Sequence, residues 1–223
     1  MKDYTGHRKR LRERFLKGDE KSIPDYELLE LLLFGIMARG DVKPLAKTLL
    51  RECGSLSGIL QADNERLKAI PGVGESTIAL LKAVQETACR TLREEANAQP
   101  ILQSWQTVID YCRARMSHLS IEQLRLLFLD QKNKLIADEI QQQGTINSTP
   151  VFPREVVKRT LELGASSLIM VHNHPSGDPT PSQADIDITR KVIKAAKELE
   201  INVLDHLIIG RFGHTSLREK RLI

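Results

Sequence analysis

Hydrophobic residues in the first 98 positions recur every three or four residues, the spacing of helices that bury one face. The pattern predicts a basic helix, a leucine-rich helix opened by Pro24, a third helix capped by Asp41, two short helices and one long helix. Their predicted ranges are 7–17, 24–38, 41–54, 55–61, 64–70 and 75–95. Gly18 and Gly54 follow two of these helices, where glycine readily takes the left-handed conformation that ends a helix. We therefore predict an all-helical N-terminal domain over residues 1–98.

From about residue 102 onwards, strand patterns alternate with helix patterns. Two apolar runs flank a polar turn at residues 130–133, which is typical of an antiparallel hairpin. Helix signals include Pro153 in a first turn, Gly164 after a last turn and Ser182 as an N-cap. The predicted strands are 124–129, 134–141, 167–172 and 201–210, and the predicted helices are 104–117, 153–163 and 182–200. We predict a mixed α/β domain over residues 102–223, joined to the helical domain by the polar stretch 94–100.

Composition excludes several classes of protein. With 41% apolar and 28% charged residues, the chain has the make-up of an ordinary globular protein. Its longest apolar run, residues 28–38, is interrupted by Glu30 and is too short to cross a bilayer, and no apolar signal segment follows Met1. We therefore expect a cytoplasmic protein without a membrane partner. The three cysteines are widely spaced and form no CxxC pair, which argues against a disulfide framework and a thiolate zinc site.

The net charge of +4 is concentrated at the start of the chain. Residues 1–21 contain eight basic and four acidic residues, which accounts for the whole excess. A basic helix of this kind could contact nucleic-acid phosphates. A solvated helix face explains the same charges, and the charge pattern by itself favours that interpretation.

Residues 171–185 contain the strongest chemical signal. His172 and His174 lie two positions apart at the end of an apolar strand, so their side chains share one face. Three prolines and a glycine then predict a stiff turn, which ends at a helix whose first turn contains Asp185. Two imidazoles and one carboxylate leave a fourth tetrahedral position open, as in catalytic zinc sites. We predict that one Zn²⁺ ion is held by His172, His174 and Asp185.

A purely structural interpretation of the same residues exists. Ser182 and Asp185 have the spacing of a helix capping box, and the two histidines could bond only to the turn. Asn173 and Ser176 could orient the ligands from behind. His206 lies in an apolar strand, where a hydrogen-bonded core histidine is expected rather than a fourth ligand.

The residues of this segment also carry a family resemblance. His172-x-His174-Pro175, followed by Ser182-x-x-Asp185, resembles the JAMM motif of the MPN/JAB domain metalloproteases. The longer string HNHPSGDP at 172–179 is similar to the bacterial RadC family. GTIN at 144–147, PRE at 153–155 and LDH at 204–206 belong to the same resemblance, which extends over essentially the whole chain.

The resemblance implies a fold, a ligand set and a reaction. The expected fold is an MPN/JAB-type α/β sandwich, cytidine-deaminase-like, preceded by a helix-hairpin-helix region. The family's zinc ligands match His172, His174 and Asp185, and its oxyanion-assisting serine matches Ser182. The expected function is that of a zinc metallopeptidase or isopeptidase acting on a protein or peptide. The deaminase signature, HxE with PCxxC, is absent from the chain.

The family also uses a glutamate from the first strand of the domain as general base. Glu122 is the best match. The glycine that follows in many relatives, E-x-x-G, is replaced here by Arg125, so Glu139 and Glu155 stay open as alternatives.

A second motif lies in the N-terminal half. Residues 67–74 resemble a helix-hairpin-helix motif, in which hairpin glycines let backbone N–H groups face a DNA phosphate. The candidate DNA contacts are Pro71, Gly72, Val73 and Gly74. A tight turn between helices explains the same glycines, and the acidic Glu75 beside the hairpin weakens the case for DNA. Together with the resemblance to RadC, whose relatives are associated with DNA repair, the motif implies an alternative function: a DNA-associated accessory protein of repair or recombination, with a structural or docking metal domain.

Overall fold

The computed structural model of the protein describes residues 5–18, 22–101, 103–143 and 151–223. The chain forms two compact units, residues 1–87 and 88–223, and the division falls within one long helix. Among the described residues, no helix combines the length and apolar character that a membrane span requires.

The N-terminal unit is helical, as predicted. Its elements are α1 (Thr5–Leu16), α2 (Asp25–Leu33), α3 (Lys43–Cys53), α4 (Leu56–Gln61), α5 (Asn64–Lys68) and the first half of α6 (Glu75–Ala98). Leucines and isoleucines from all of these helices form one buried cluster. The prediction that the second helix reaches residue 38 is wrong. The amides of Gly35 and Ile36 bond to carbonyls only three residues back, and glycine weakens helix propensity at this point.

Arginines of the basic helix α1 make contacts with other parts of this unit. Arg8 donates to the carbonyl oxygens of Ala38 and Gly40 at 3.0 and 2.8 Å. Its guanidinium also lies 4.7 Å from the centre of the Phe34 ring. Arg14 pairs with the carboxylate of Glu27 on α2. These contacts support the structural interpretation of the basic segment.

The C-terminal unit is a mixed α/β domain, also as predicted. Besides the end of α6, it contains α7 (Trp105–Met116), β1 (Gln123–Leu129), β2 (Leu135–Gln143), α8 (Pro153–Glu162), β3 (Ser167–Asn173), α9 (Gln183–Lys197), β4 (Asn202–Ile209) and β5 (His214–Ser216). The strands form one sheet in the order β2-β1-β3-β4-β5. β3 and β4 are parallel, and the other neighbouring strands are antiparallel. The three-residue β5 is too short to give a periodic pattern and was not predicted.

Alternate residues of the central strands fill two cores, one on each face of the sheet. On one face, side chains such as Leu127 and Val171 pack with α7 and the end of α6. On the other face, side chains such as Leu126 and Met170 pack with α8 and α9. Both sets are almost completely buried. The result is a three-layer arrangement with the sheet between helices.

Arg125, the residue that departs from the E-x-x-G pattern, belongs to the α7 side of the sheet. Its guanidinium donates to Asp138 Oδ1 on β2 at 2.5 Å, and the Tyr111 hydroxyl of α7 donates to Asp138 Oδ2. The neighbouring Leu124 belongs to the opposite core. Because successive residues of a strand face opposite sides, Arg125 points away from the face that carries His172.

Candidate metal centre

His172 and His174 lie together at the end of β3. His172 is the penultimate residue of the strand and is only 2% exposed. His174 lies one residue beyond the strand, but its amide still bonds to Ile209 O of β4 at 3.0 Å. This continued pairing keeps both imidazoles on one face, and their Nε2 atoms lie 2.9 Å apart.

Asp185 reaches the two histidines from the first turn of α9. Its Oδ1 lies 3.4 Å from His172 Nε2, and its Oδ2 lies 3.6 Å from His174 Nε2. Oδ2 accepts hydrogen bonds from the Ser182 amide and hydroxyl, both at 2.7 Å. Oδ1 is buried and has no hydrogen-bond partner among the described residues. A buried carboxylate oxygen without a partner is costly, and a cation between it and the two nitrogens would satisfy it. The donor set therefore fits a zinc ion.

A hydrogen bond orients the His174 ring. Nδ1 of His174 lies 2.8 Å from the carbonyl oxygen of Asp178, which can only accept. In the neutral ring the proton is therefore on Nδ1, which leaves the lone pair of Nε2 available to a metal ion.

A buried chain of hydrogen bonds orients His172 in the same way. The Thr189 hydroxyl donates to the Asp185 carbonyl oxygen at 2.5 Å, so it must accept from His206 Nδ1, also at 2.5 Å. His206 Nε2 is then the acceptor for His172 Nδ1 at 2.8 Å. The lone pair of His172 Nε2 consequently points to the centre. His206 is the hydrogen-bonded core histidine that the sequence suggests, and its partner is a candidate ligand.

The pKa shifts agree with this arrangement. Burial lowers the pKa of His172 to about 4, and burial also lowers the pKa of His206 well below its usual value. Burial raises the pKa of Asp185, but the adjacent His174, His172 and Ser182 outweigh it and set the pKa below its ordinary range. His172 is therefore neutral and Asp185 ionised at neutral pH, the states that bind a metal ion. Asp185 hydrogen-bonds the protonated form of His174 and raises its pKa despite partial burial, so zinc binding at His174 Nε2 would displace that proton.

Glu122 is the glutamate that the structure brings to the histidines. One of its carboxylate oxygens and one ring nitrogen each of His172 and His174 all lie within 4.8 Å of one another. The register of the sheet explains this, since Leu124 pairs with His172 and Glu122 precedes Leu124 by two residues. The two alternative glutamates, Glu139 and Glu155, both accept hydrogen bonds from arginines.

The Glu139 carboxylate accepts bonds of 2.8 and 2.6 Å from Arg159 of α8. Glu155 accepts a bond of 3.2 Å from its neighbour Arg154.

Asn173 holds the backbone on both sides of Glu122. Its Oδ1 accepts from the Gln123 amide at 2.9 Å, and its Nδ2 donates to the carbonyl oxygens of Ile121 and Leu119 at 3.2 and 3.4 Å. The Asn173 side chain is buried and lies on the face of β3 opposite to His172. The sequence suggested only that Asn173 could orient the ligands. Its position between the two histidines indicated a role at the site. Its hydrogen-bond partners could not be predicted from sequence, because they are 50 or more residues away.

Ser182 has a structural partner. Besides donating to Asp185 Oδ2, its hydroxyl accepts from the Asp185 amide at 3.2 Å, which completes the predicted capping box. These bonds hold the Asp185 carboxylate in place. Assistance to an oxyanion by Ser182 stays a prediction.

The turn after His174 packs closely against the loop that follows β4. Gly177 has a φ of +90°, its amide bonds to His174 O at 2.9 Å, and its carbonyl oxygen accepts from Arg211 N at 3.0 Å. Gly210 lies directly against this turn. The stiff turn predicted from the prolines is therefore also supported from β4.

The four residues proposed to contact DNA form the turn between α5 and α6. Gly72 has a φ of +89°, and the Val73 amide bonds to Ile70 O at 3.1 Å. These features describe a tight turn between the two helices. DNA contact by Pro71, Gly72, Val73 and Gly74 stays a prediction.

Two known families match the chain in sequence. The RadC-like JAB domain matches residues 102–222, more than half of the chain, and the UPF0758 N-terminal family matches residues 3–79. These matches confirm the resemblance on which the sequence interpretation depends. Residues 144–147, which belong to that resemblance, lie outside the described residues.

Proposed function

The chain belongs to the RadC family through its JAB domain, and we propose that this domain is a zinc-dependent hydrolase that cleaves an amide bond in a protein or peptide. JAB domains belong to a superfamily that includes metallohydrolases. The family membership therefore makes hydrolysis the first chemistry to test.

One observation carries the proposal. Asp185 Oδ1 is buried, has no hydrogen-bond partner among the described residues and lies 3.4 Å from His172 Nε2, while Oδ2 lies 3.6 Å from His174 Nε2. A capping box by itself explains Oδ2 but leaves Oδ1 without a partner. When bound, Zn²⁺ would supply a Lewis acid and lower the pKa of a coordinated water to roughly 7.

The side chains of the protein would provide the remaining steps. The Glu122 carboxylate accepts a proton from the attacking water and returns it to the leaving amide nitrogen. Asn173 keeps the Glu122 segment at the correct distance through its three backbone bonds. His206 and Thr189 hold the tautomer of His172, and Ser182 holds the Asp185 carboxylate.

The test separates metal binding from turnover. Zinc content of the purified chain is measured by mass spectrometry, and cleavage of a peptide library is followed with and without a chelator. We expect one zinc per chain and chelator-sensitive cleavage. His172→Ala and Asp185→Asn should lose zinc, whereas Glu122→Gln should keep zinc and lose cleavage by about 100-fold or more.

Glu139→Gln and Glu155→Gln are the matched controls. Both remove a carboxylate that is paired with an arginine, and both should keep zinc and cleavage. Loss of cleavage in either variant, with Glu122→Gln active, would assign the base elsewhere. Equal zinc content in wild type and His172→Ala would overturn the metal centre itself.

DNA contact by the hairpin between α5 and α6 is a second candidate function. Gly72 has the left-handed conformation of a tight hairpin, and Arg66 and Lys68 lie on the preceding helix. Binding of labelled duplex DNA is measured by fluorescence anisotropy as a function of salt. Lys68→Glu should weaken a real interaction several-fold and reduce its salt dependence, whereas Lys158→Glu on α8 is the charge-matched control.

A further inference from the structure

A cavity of about 520 Å³ lies in the C-terminal unit beside the candidate metal centre. Glu122, His172 and Asp185 form part of its wall, so the cavity is continuous with the centre. The rest of the wall comes from the sheet, from the segment that enters α8 and from α9. Its volume falls within the roughly 300–1,000 Å³ of sites that bind small ligands.

Away from the metal centre, the cavity wall is mostly apolar. The sheet provides two apolar side chains, the entry to α8 provides three and α9 provides two. These residues are Leu124, Met170, Val151, Phe152, Pro153, Ala184 and Ile188. The charged wall residues of α9, Asp187 and Lys191, are exposed on the surface. The apolar part of the cavity therefore suits an uncharged, hydrophobic group.

Phe152 is a large apolar side chain that the fold leaves partly open. It occupies the N-cap position of α8 and is 48% exposed. The guanidinium of Arg154 lies 5.2 Å from the centre of its ring. An open aromatic ring beside an apolar cavity gains contact area when a ligand enters.

We propose that this cavity binds the side chain of a leucine-, methionine- or phenylalanine-sized residue that flanks the scissile amide of the substrate. The inference rests on the proposed amide hydrolysis, because the cavity adjoins the residues assigned to that reaction. It names a substrate class, peptides with an apolar residue next to the cleaved bond.

Charge also discriminates among substrates. An acidic side chain in the apolar part of the cavity would lose its hydration, which disfavours binding. A glycine at the same position would leave the apolar wall of the cavity in contact with water. Since each buried methylene adds about fourfold in affinity, leucine should be preferred over glycine by at least about tenfold.

Methionine methyl groups provide a direct readout of binding. Met170 lines the cavity, whereas Met116 is buried in the core on the opposite face of the sheet. The full chain is labelled with ¹³C at its methionine methyls, loaded with zinc and titrated with the N-acetyl methylamides of leucine, glycine and aspartate. The titration is repeated after chelator treatment. We expect the leucine compound to move the Met170 resonance, with the Met116 resonance unchanged.

Two variants with similar exposed side chains test the location. Phe152→Ala should weaken binding of the leucine compound by about fivefold, consistent with losing part of the apolar contact area. Leu161 on α8 is 53% exposed but does not line the cavity, so Leu161→Ala should bind as wild type.

Any of three results would overturn the inference. The Met170 resonance would not move, the leucine, glycine and aspartate compounds would bind equally, or Phe152→Ala would bind the leucine compound as wild type does. A Met170 shift that depends on protein concentration alone would assign the cavity to a second copy of the chain. Selective leucine binding by a protein without peptidase activity would overturn the proposed hydrolysis and leave the cavity assignment intact.

Discussion

Nδ1 of His172 lies 2.8 Å from Nε2 of His206, and both rings are buried. Through this bond, a histidine 34 positions further along the chain determines which nitrogen of His172 carries the proton. Thr189, on α9, holds His206 in turn. The proposed zinc ligand is therefore oriented by β4 and by the same helix that carries Asp185.

Replacing His206 should weaken zinc binding. In His206→Ala, Nδ1 of His172 loses its acceptor, so we expect the zinc affinity to fall by about 10- to 100-fold. His206→Gln, which can keep an acceptor near that place, should recover part of the loss. Affinity is measured by competition with a chromophoric chelator, and circular dichroism checks the fold. Unchanged affinity in a folded His206→Ala would show that the bond is dispensable.

Replacing Asn173 should affect stability rather than zinc. Asn173→Ala removes three backbone bonds, and at about 1 kcal/mol for each bond the free energy of unfolding should fall by about 2–3 kcal/mol. The zinc affinity should change by less than about threefold. Losses of 10- to 100-fold arise where a metal-ligating side chain itself loses its hydrogen-bond partner. Urea unfolding measures the first quantity and zinc competition the second.

Asn202→Ala, at the exposed start of β4, is the control for Asn173 and should cost less than about 0.5 kcal/mol. An equal loss in the two variants would contradict the role assigned to Asn173.

Gly210 and Gly213, in the loop after β4, should differ sharply in how well they tolerate substitution by alanine. A Cβ at Gly210 would lie 2.8 Å from Pro179 Cδ and would overlap the Gly177 carbonyl oxygen, whereas a Cβ at Gly213 meets nothing within 4 Å. Gly210→Ala should therefore lower stability by about 1–3 kcal/mol and weaken zinc binding, because the displaced turn carries His174. Gly213→Ala should stay within about 0.5 kcal/mol of wild type. Thermal unfolding with and without zinc compares the pair, and similar curves for both variants would contradict the packing described.

Tyr111 should make stability fall at alkaline pH. Burial, together with the adjacent Asp138, raises the pKa of Tyr111 from 10.0 to about 12. The unfolded chain therefore loses the phenol proton first, and stability present below pH 10 is lost as the pH rises towards 12. The shift corresponds to a total loss of about 3 kcal/mol in the free energy of unfolding.

Tyr111→Phe removes this titration and provides the comparison. At pH 8 the variant should be about 1–2 kcal/mol less stable than wild type, because Asp138 loses a donor. The difference should shrink as the pH rises from 10 and change sign by about pH 12, because wild type loses more stability over this range than the variant lacks at pH 8. Urea unfolding at pH 8, 10 and 11.5 measures it, and a constant difference would rule out the shifted phenol.

Much of this protein can be predicted from local pattern. The helical and α/β halves, the antiparallel hairpin and the helix opened by Ser182 all follow from periodicity and capping signals within a few residues. His172 and His174 share a face because strand side chains alternate, and the capping box places Asp185 at the start of α9. The candidate ligand set could be inferred because its geometry is local or lies across one short turn.

Only the tertiary structure decided which distant residues lie beside that set. Of the three candidate glutamates, Glu122 is the one brought near the histidines, by the register of β1 on β3, which depends on two cores rather than on neighbouring residues. The bonds from Asn173 to the Glu122 segment and from His206 to His172 join elements 34 to 54 residues apart. Sequence periodicity reports which face a side chain occupies within its own element. Which strands become neighbours, and in what register, is set by the packing of the whole domain.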